Sequence, residues 1–87
     1  MRFLVESGLN VPPTPEIMAL LPAESARGVE LDEQGLREHL YLAADMKRAW
    51  QIYRADSAEA VETLLQSFPL APYTASTITA LAEPPTS

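Results

Sequence analysis

Near the start of the chain Phe3 and Val5 alternate with Arg2, Leu4 and Glu6, with Leu9 further on. This period of two predicts a strand that begins almost at the first residue. Asn10-Val-Pro-Pro-Thr-Pro15 ends it, because three prolines remove backbone donors and fix φ. Thr14 before Pro15 then supplies a helix start with proline at the first helical position. Ile17, Leu20, Leu21, Glu24, Gly28 and Leu31 follow within an arc of about 100° at helical spacing. A helix with one inward stripe is therefore predicted, and one member of that stripe is a carboxylate. Pro22 either kinks this helix or marks the start of its main part. Gly35 suits the left-handed residue that closes it.

Residues 37–44 and 48–54 alternate aromatic and aliphatic positions around Asp45-Met-Lys47, which predicts two strands joined as a hairpin. Asp56-Ser-Ala-Glu59 has the spacing of a capping box, and Val61, Leu64, Leu65 and Phe68 repeat at helical intervals before Pro69. A Thr-rich stretch from Tyr73 to Leu81 predicts the last strand, and residues 83–87 read as a loose C-terminal tail. The order is βαββαβ. The predicted fold is α+β and ferredoxin-like, one domain over residues 1–82 with a four-stranded antiparallel sheet. No internal repeat or low-complexity block interrupts it.

Size changes the picture. A chain of 87 residues buries only about 60–65% of the surface its unfolded form exposes. It has no cysteine for a disulfide, and its single histidine argues against a structural metal site. A partner subunit is the remaining support. Apolar residues also occupy both alternating sets of the strands: Phe3 and Val5 against Leu4, Leu40 and Leu42 against Tyr41 and Ala43, Trp50 and Ile52 against Tyr53. Two helices cover one sheet face, so the other is expected to pack on the sheet of an identical chain, as a homodimer.

The net charge of −6 gives no footprint for nucleic acid or an anionic membrane. No apolar run approaches the roughly 20 residues that span a bilayer, and no signal-like segment opens the chain. The expected location is cytoplasmic.

Glu24 is the first candidate for chemistry. A carboxylate on an apolar stripe is desolvated, its pKa rises, and it can exchange protons near neutral pH. The competing reading gives Glu24 to solvent or to a pair with Arg27. His39 and Tyr41, two apart on a strand, point the same way and could donate or relay a proton to a carbonyl, or could be interface residues. Trp50 has the same two readings. Gly8, Gly28 and Gly35 form no phosphate loop, and no nucleophile elbow exists. This inventory fits cofactor-free proton transfer in an apolar pocket.

Pro22-Ala-Glu24, Glu33-Gln-Gly35, His39-Leu-Tyr41 and above all the stretch LLQSFPLAPY ending at Tyr73 resemble the muconolactone isomerase family in order and spacing. The resemblance covers most of the chain. It implies a ferredoxin-like fold paired as a dimeric α+β barrel, sometimes in larger rings of dimers, and a double-bond shift in a lactone without a cofactor. Glu24 resembles the family's helix glutamate, His39 its strand histidine, and Tyr41 stands where an aromatic is usual. Glu38 and Leu42, placed on the face opposite His39, stand where the family carries arginines, and Ala49, Met46 and Lys47 replace further polar groups. Arginine is the usual fork for a carboxylate, so the case for muconolactone itself weakens.

The resulting expectation is an isomerase of a small lactone-like or polyketide-like carbonyl compound, moving a double bond or guiding a cyclisation. Glu24 moves the proton, His39 or Tyr41 polarises the carbonyl, and Trp50 or Tyr53 gives an apolar wall. The rival is a non-catalytic small-molecule binding or assembly module on the same dimer barrel. A monooxygenase on that architecture is a weaker third.

Overall fold

The computed structural model describes residues 1–82; the tail expected at 83–87 lies outside the described residues. The elements are β1 (Arg2–Leu9), α1 (Pro15–Met18), α2 (Leu21–Glu33), β2 (Arg37–Leu42), β3 (Ala49–Arg54), α3 (Ala58–Gln66) and β4 (Thr74–Leu81). The strands form one sheet in the order β2-β3-β1-β4, with every neighbouring pair antiparallel. This is the α+β arrangement expected from the hydrophobic pattern.

Local chemistry explains most boundaries. Thr14 caps α1, its Oγ1 accepting from the Ile17 N–H at 3.2 Å. Pro22 falls in the first turn of α2, where a missing N–H costs little, so it starts the main helix rather than kinking one long helix. Gly35, at φ 73°, occupies the left-handed position after α2. The capping box is displaced by one residue: Ser57, not Asp56, is the N-cap of α3, its Oγ accepting from the Ala60 N–H at 3.1 Å. Ser57 has the extended backbone that an N-cap needs, and its hydroxyl reaches the free amide three residues on.

Directly paired residues share a sheet face. Phe3 pairs with Tyr53 and Ala80, Val5 with Gln51 and Ile78, and Ser7 with Ala49 and Ser76, which defines the helix-covered face. Phe3, Val5, Leu31, Tyr53, Val61 and Phe68 form the buried core between that face and the helices. Each such side chain contributes roughly 1.5–3 kcal/mol by leaving water. The opposite face carries Leu4, Trp50 and Ile52, half-buried with no helix over them.

The register of β2 shifts between Arg37 and His39. Arg37 pairs with Tyr53 and faces the helices, whereas His39 pairs with Ile52 and Tyr41 with Trp50 on the open face. Glu38 therefore does not oppose His39 as expected. It bonds Arg2 at 2.7 Å and lies 4.0 Å from Arg54, both open-face residues, because the bulge inserts one residue and reverses the alternation. Among the described residues no helix is long and apolar enough to cross a membrane.

Candidate functional site

The helix-covered face changes character along its length. On β1 the inward residues run Phe3, Val5, Ser7, and on β4 they run Ile78, Ser76, Thr74. Phe3 and Tyr53 reach the helix layer and close it. Two rungs further on, Ser7 and Ser76 face each other with side chains too short to do so. The space left is a cavity of about 280 Å³, lined by Ser7, Gln51, Ser76 and Ile78 from the sheet and by Glu24, Leu65 and Phe68 from the helical side. Glu62, Gln66, Ala71 and Thr74 also line it, so among the described residues the cavity wall holds two carboxylates and no cationic side chain.

Glu24 sits in the first turn of α2 and is half-buried. Its Oε1 accepts from the Leu70 N–H at 2.8 Å, a backbone donor supplied by the turn after Pro69. Burial pushes the Glu24 pKa up, and this outweighs the opposing pull of the Leu70 bond and of the Arg37 charge. Arg27 does not neutralise it. The Arg27 guanidinium donates to Ser67 Oγ at 2.9 Å and to Glu30 at 3.0 Å instead. The pairing alternative for Glu24 is thereby overturned, because α2 turns Arg27 toward α3 rather than the cavity.

Behind the cavity lies a chain of hydrogen bonds. Arg37 grips Asp32 through Nε at 2.7 Å and Nη2 at 3.0 Å, while its Nη1 donates to Gln51 Oε1 at 3.2 Å. The Tyr53 hydroxyl donates to the same oxygen at 2.6 Å. Arg37 lies directly on Gly28, where a Cβ would come within 2.6 Å of Nη2. Glycine in the middle of α2 thus makes room for a guanidinium. The bond from Arg37 holds the Asp32 carboxyl below its usual range, and Asp32 in turn raises Arg37. Burial pushes the Tyr53 hydroxyl up to about 12, so it is a neutral donor at ordinary pH.

The residues singled out by sequence are divided by this geometry. Glu24 lines the cavity. Tyr53 is fully buried one rung away and touches the cavity only through Gln51, so it supports the site from behind. His39 and Tyr41 lie on the open face of the sheet with their rings stacked, centroids 6.0 Å apart, and Trp50 is beside them opposite Tyr41. Gln51 was not singled out in the sequence. The available signal was a polar residue in step with Tyr53 on the inward side of a strand otherwise bearing Trp50 and Ile52.

The whole chain, residues 1–87, matches the family model of muconolactone delta-isomerase. Among solved structures, that of muconolactone isomerase superposes with a TM-score of 0.85 at 24% sequence identity, covering 100% of this chain and 94% of that one. A 5-chloro-2-hydroxyhydroquinone dehydrochlorinase from Burkholderia phenoliruptrix, in complex with 2,5-dihydroxybenzoquinone, superposes with a TM-score of 0.66 at 16% identity, covering 97% of this chain and 96% of that one. At these identities the two structures establish the shared fold. No curated protein matches.

Proposed function

We propose that this chain, which belongs to the muconolactone delta-isomerase family, shifts a double bond in a small, uncharged lactone-like or polyketide-like carbonyl compound by cofactor-free proton transfer through Glu24. The observation that carries this reading is the half-buried Glu24 carboxylate opening on a cavity, its proton affinity raised by burial that outweighs the Arg37 charge. Such a group accepts a proton from a carbon beside a carbonyl near neutral pH. The C–H bond breaks, the proton goes to Glu24, and the electron pair delocalises onto the carbonyl oxygen as a dienolate. Delivery of a proton from Glu24, whose carboxyl exchanges with solvent, to the far end of the conjugated system completes the shift without oxidant or leaving group.

The lining favours an uncharged substrate. Glu24 and Glu62 line the cavity, and Arg37, the inward arginine on β2, is committed to Asp32 and Gln51. On this reading His39, Tyr41 and Trp50 belong to a pairing surface rather than to the proton path. With Leu4 and Ile52 they form an apolar sheet face that a second copy would cover, giving the homodimer.

The test is proton NMR in D₂O with muconolactone and with 5-methyl-2(3H)-furanone, an unsaturated lactone lacking a carboxylate. Expected is deuterium incorporation and double-bond migration in the uncharged lactone, abolished by Glu24→Gln. Undiminished turnover by a folded Glu24→Gln protein removes the proposal, and no exchange in either lactone moves the weight to a binding module.

A further inference from the structure

We propose that Gln51 is the hydrogen-bond donor for the substrate carbonyl, its side-chain amide locked by Arg37 and Tyr53 so that the NH₂ group faces the cavity. This rests on the reading of Glu24 as the base and adds the group that receives the charge the base creates.

A glutamine amide has two ends of nearly equal shape, and its neighbours decide which way it turns. Tyr53 alone would leave the choice open, because a hydroxyl both donates and accepts. Arg37 settles it, since a guanidinium has donors and no acceptor, and its Nη1 lies 3.2 Å from the Gln51 oxygen. The reversed amide would set N–H against N–H. Arg37 itself has no freedom to move aside, being held by two bonds to Asp32 and seated on Gly28.

The other end of the amide is then fixed. Gln51 is only 8% exposed, yet among the described residues no buried side-chain nitrogen or oxygen lacks a partner. Its nitrogen donates to no described group, so it reaches open space, and the space that Gln51 lines is the cavity shared with Glu24. The cavity thus sets Glu24, as proton acceptor, and Gln51, as an oriented donor, on the wall of one space. As Glu24 takes the proton, negative charge grows on the carbonyl oxygen, and a prepositioned N–H stabilises it. Arg37 on the far side of the amide polarises it in the same sense.

The probe is 4-nitrophenolate, an oxyanion that imitates the dienolate without reacting. It is titrated by absorbance and by ¹⁵N NMR under mildly alkaline conditions, where the phenol is ionised. Glu24→Gln imitates the base after it has taken the proton, so this variant is expected to bind the phenolate at least tenfold tighter than the unaltered protein. In that background Gln51→Met is expected to lose about tenfold or more, while Tyr53→Phe, which leaves the Arg37 contact, loses less. Binding is also expected to shift the Gln51 side-chain NH₂ resonances, a readout that needs no change at position 51. Equal binding by the Gln51→Met protein, or unmoved NH₂ resonances on saturation, overturns the Gln51 assignment while leaving Glu24 intact. No gain from Glu24→Gln overturns the Glu24 reading itself. Absence of any binding to Glu24→Gln overturns the donor.

Discussion

The two ends of the helix-covered sheet face are made by the same strands and covered by the same helical layer, yet one is solid and the other hollow. At the solid end Phe3 pairs with Tyr53, and Leu31 and Val61 join them in the buried core. At the hollow end Ser7 pairs with Ser76, and the helices contribute a carboxylate, Glu24, where the solid end has Leu31. The difference lies in side-chain length along one strand face, from Phe3 through Val5 to Ser7. It shows how a small domain can reserve a site: the solid end supplies stability, and the hollow end gives some of it up to keep a polar group half-dry.

Four measurements break or sharpen that contrast. Phe3→Ala at the solid end leaves a void under the helices and is expected to cost about 3–5 kcal/mol in urea denaturation, a large share of what a domain of this size has. A loss below about 1 kcal/mol would deny that this end carries the stability. Tyr53 gives the next largest effect. Its folded pKa of about 12 lies above the ordinary value of 10.0, so the folded state holds the proton longer. The stability is fully present below pH 10 and falls as pH rises toward 12, by roughly 2 kcal/mol at the end of that range. Absorbance titration should show one of the three tyrosines ionising only there or on unfolding.

Ser7→Leu fills the hollow end. Its stability is expected to stay within about 1 kcal/mol of the parent or to rise, since the side chain enters existing space, while lactone turnover and phenolate binding are lost. Destabilisation as large as that of Phe3→Ala would mean the two ends are packed alike. The smallest effect is Glu24→Gln on stability. A carboxyl with a raised folded pKa penalises folding once it is ionised, so wild type and variant should melt together in acid. The variant should gain as pH rises through the folded pKa, keeping the oxygen that accepts from Leu70. A variant less stable than wild type at neutral pH would mean that folding favours the ionised carboxylate, the opposite of a raised pKa.

Much of this was legible in the chain. The alternation at Phe3 and Val5, the Thr14-Pro15 start, Gly35 and the run to Phe68 each express a local rule, and the elements follow them. Glu24 was visible as a carboxylate out of place on an apolar stripe. What escaped depended on register. The bulge between Arg37 and His39 sends Arg37 inward and keeps His39 outward, so residues that alternation alone would place together end on opposite faces. Gln51 drew no notice because its meaning comes from Arg37 and Tyr53, one on another strand, and from a cavity created by Ser7 and Ser76. Leu21 likewise belongs to the predicted stripe yet is 42% exposed, because the stripe assumed one continuous helix and the chain breaks between α1 and α2.

Proton transfer by this protein depends on the state of one carboxyl group, which can be read without knowing the substrate. The side-chain ¹³C resonance of Glu24 in the intact protein, assigned by its loss in Glu24→Gln, would be followed against pH. A midpoint above the ordinary glutamate value is the predicted result, and it should fall back toward that value when unfolding exposes the group. A midpoint at or below the ordinary value in the folded protein would contradict a half-dry, unpaired carboxylate and with it the proton transfer assigned to Glu24.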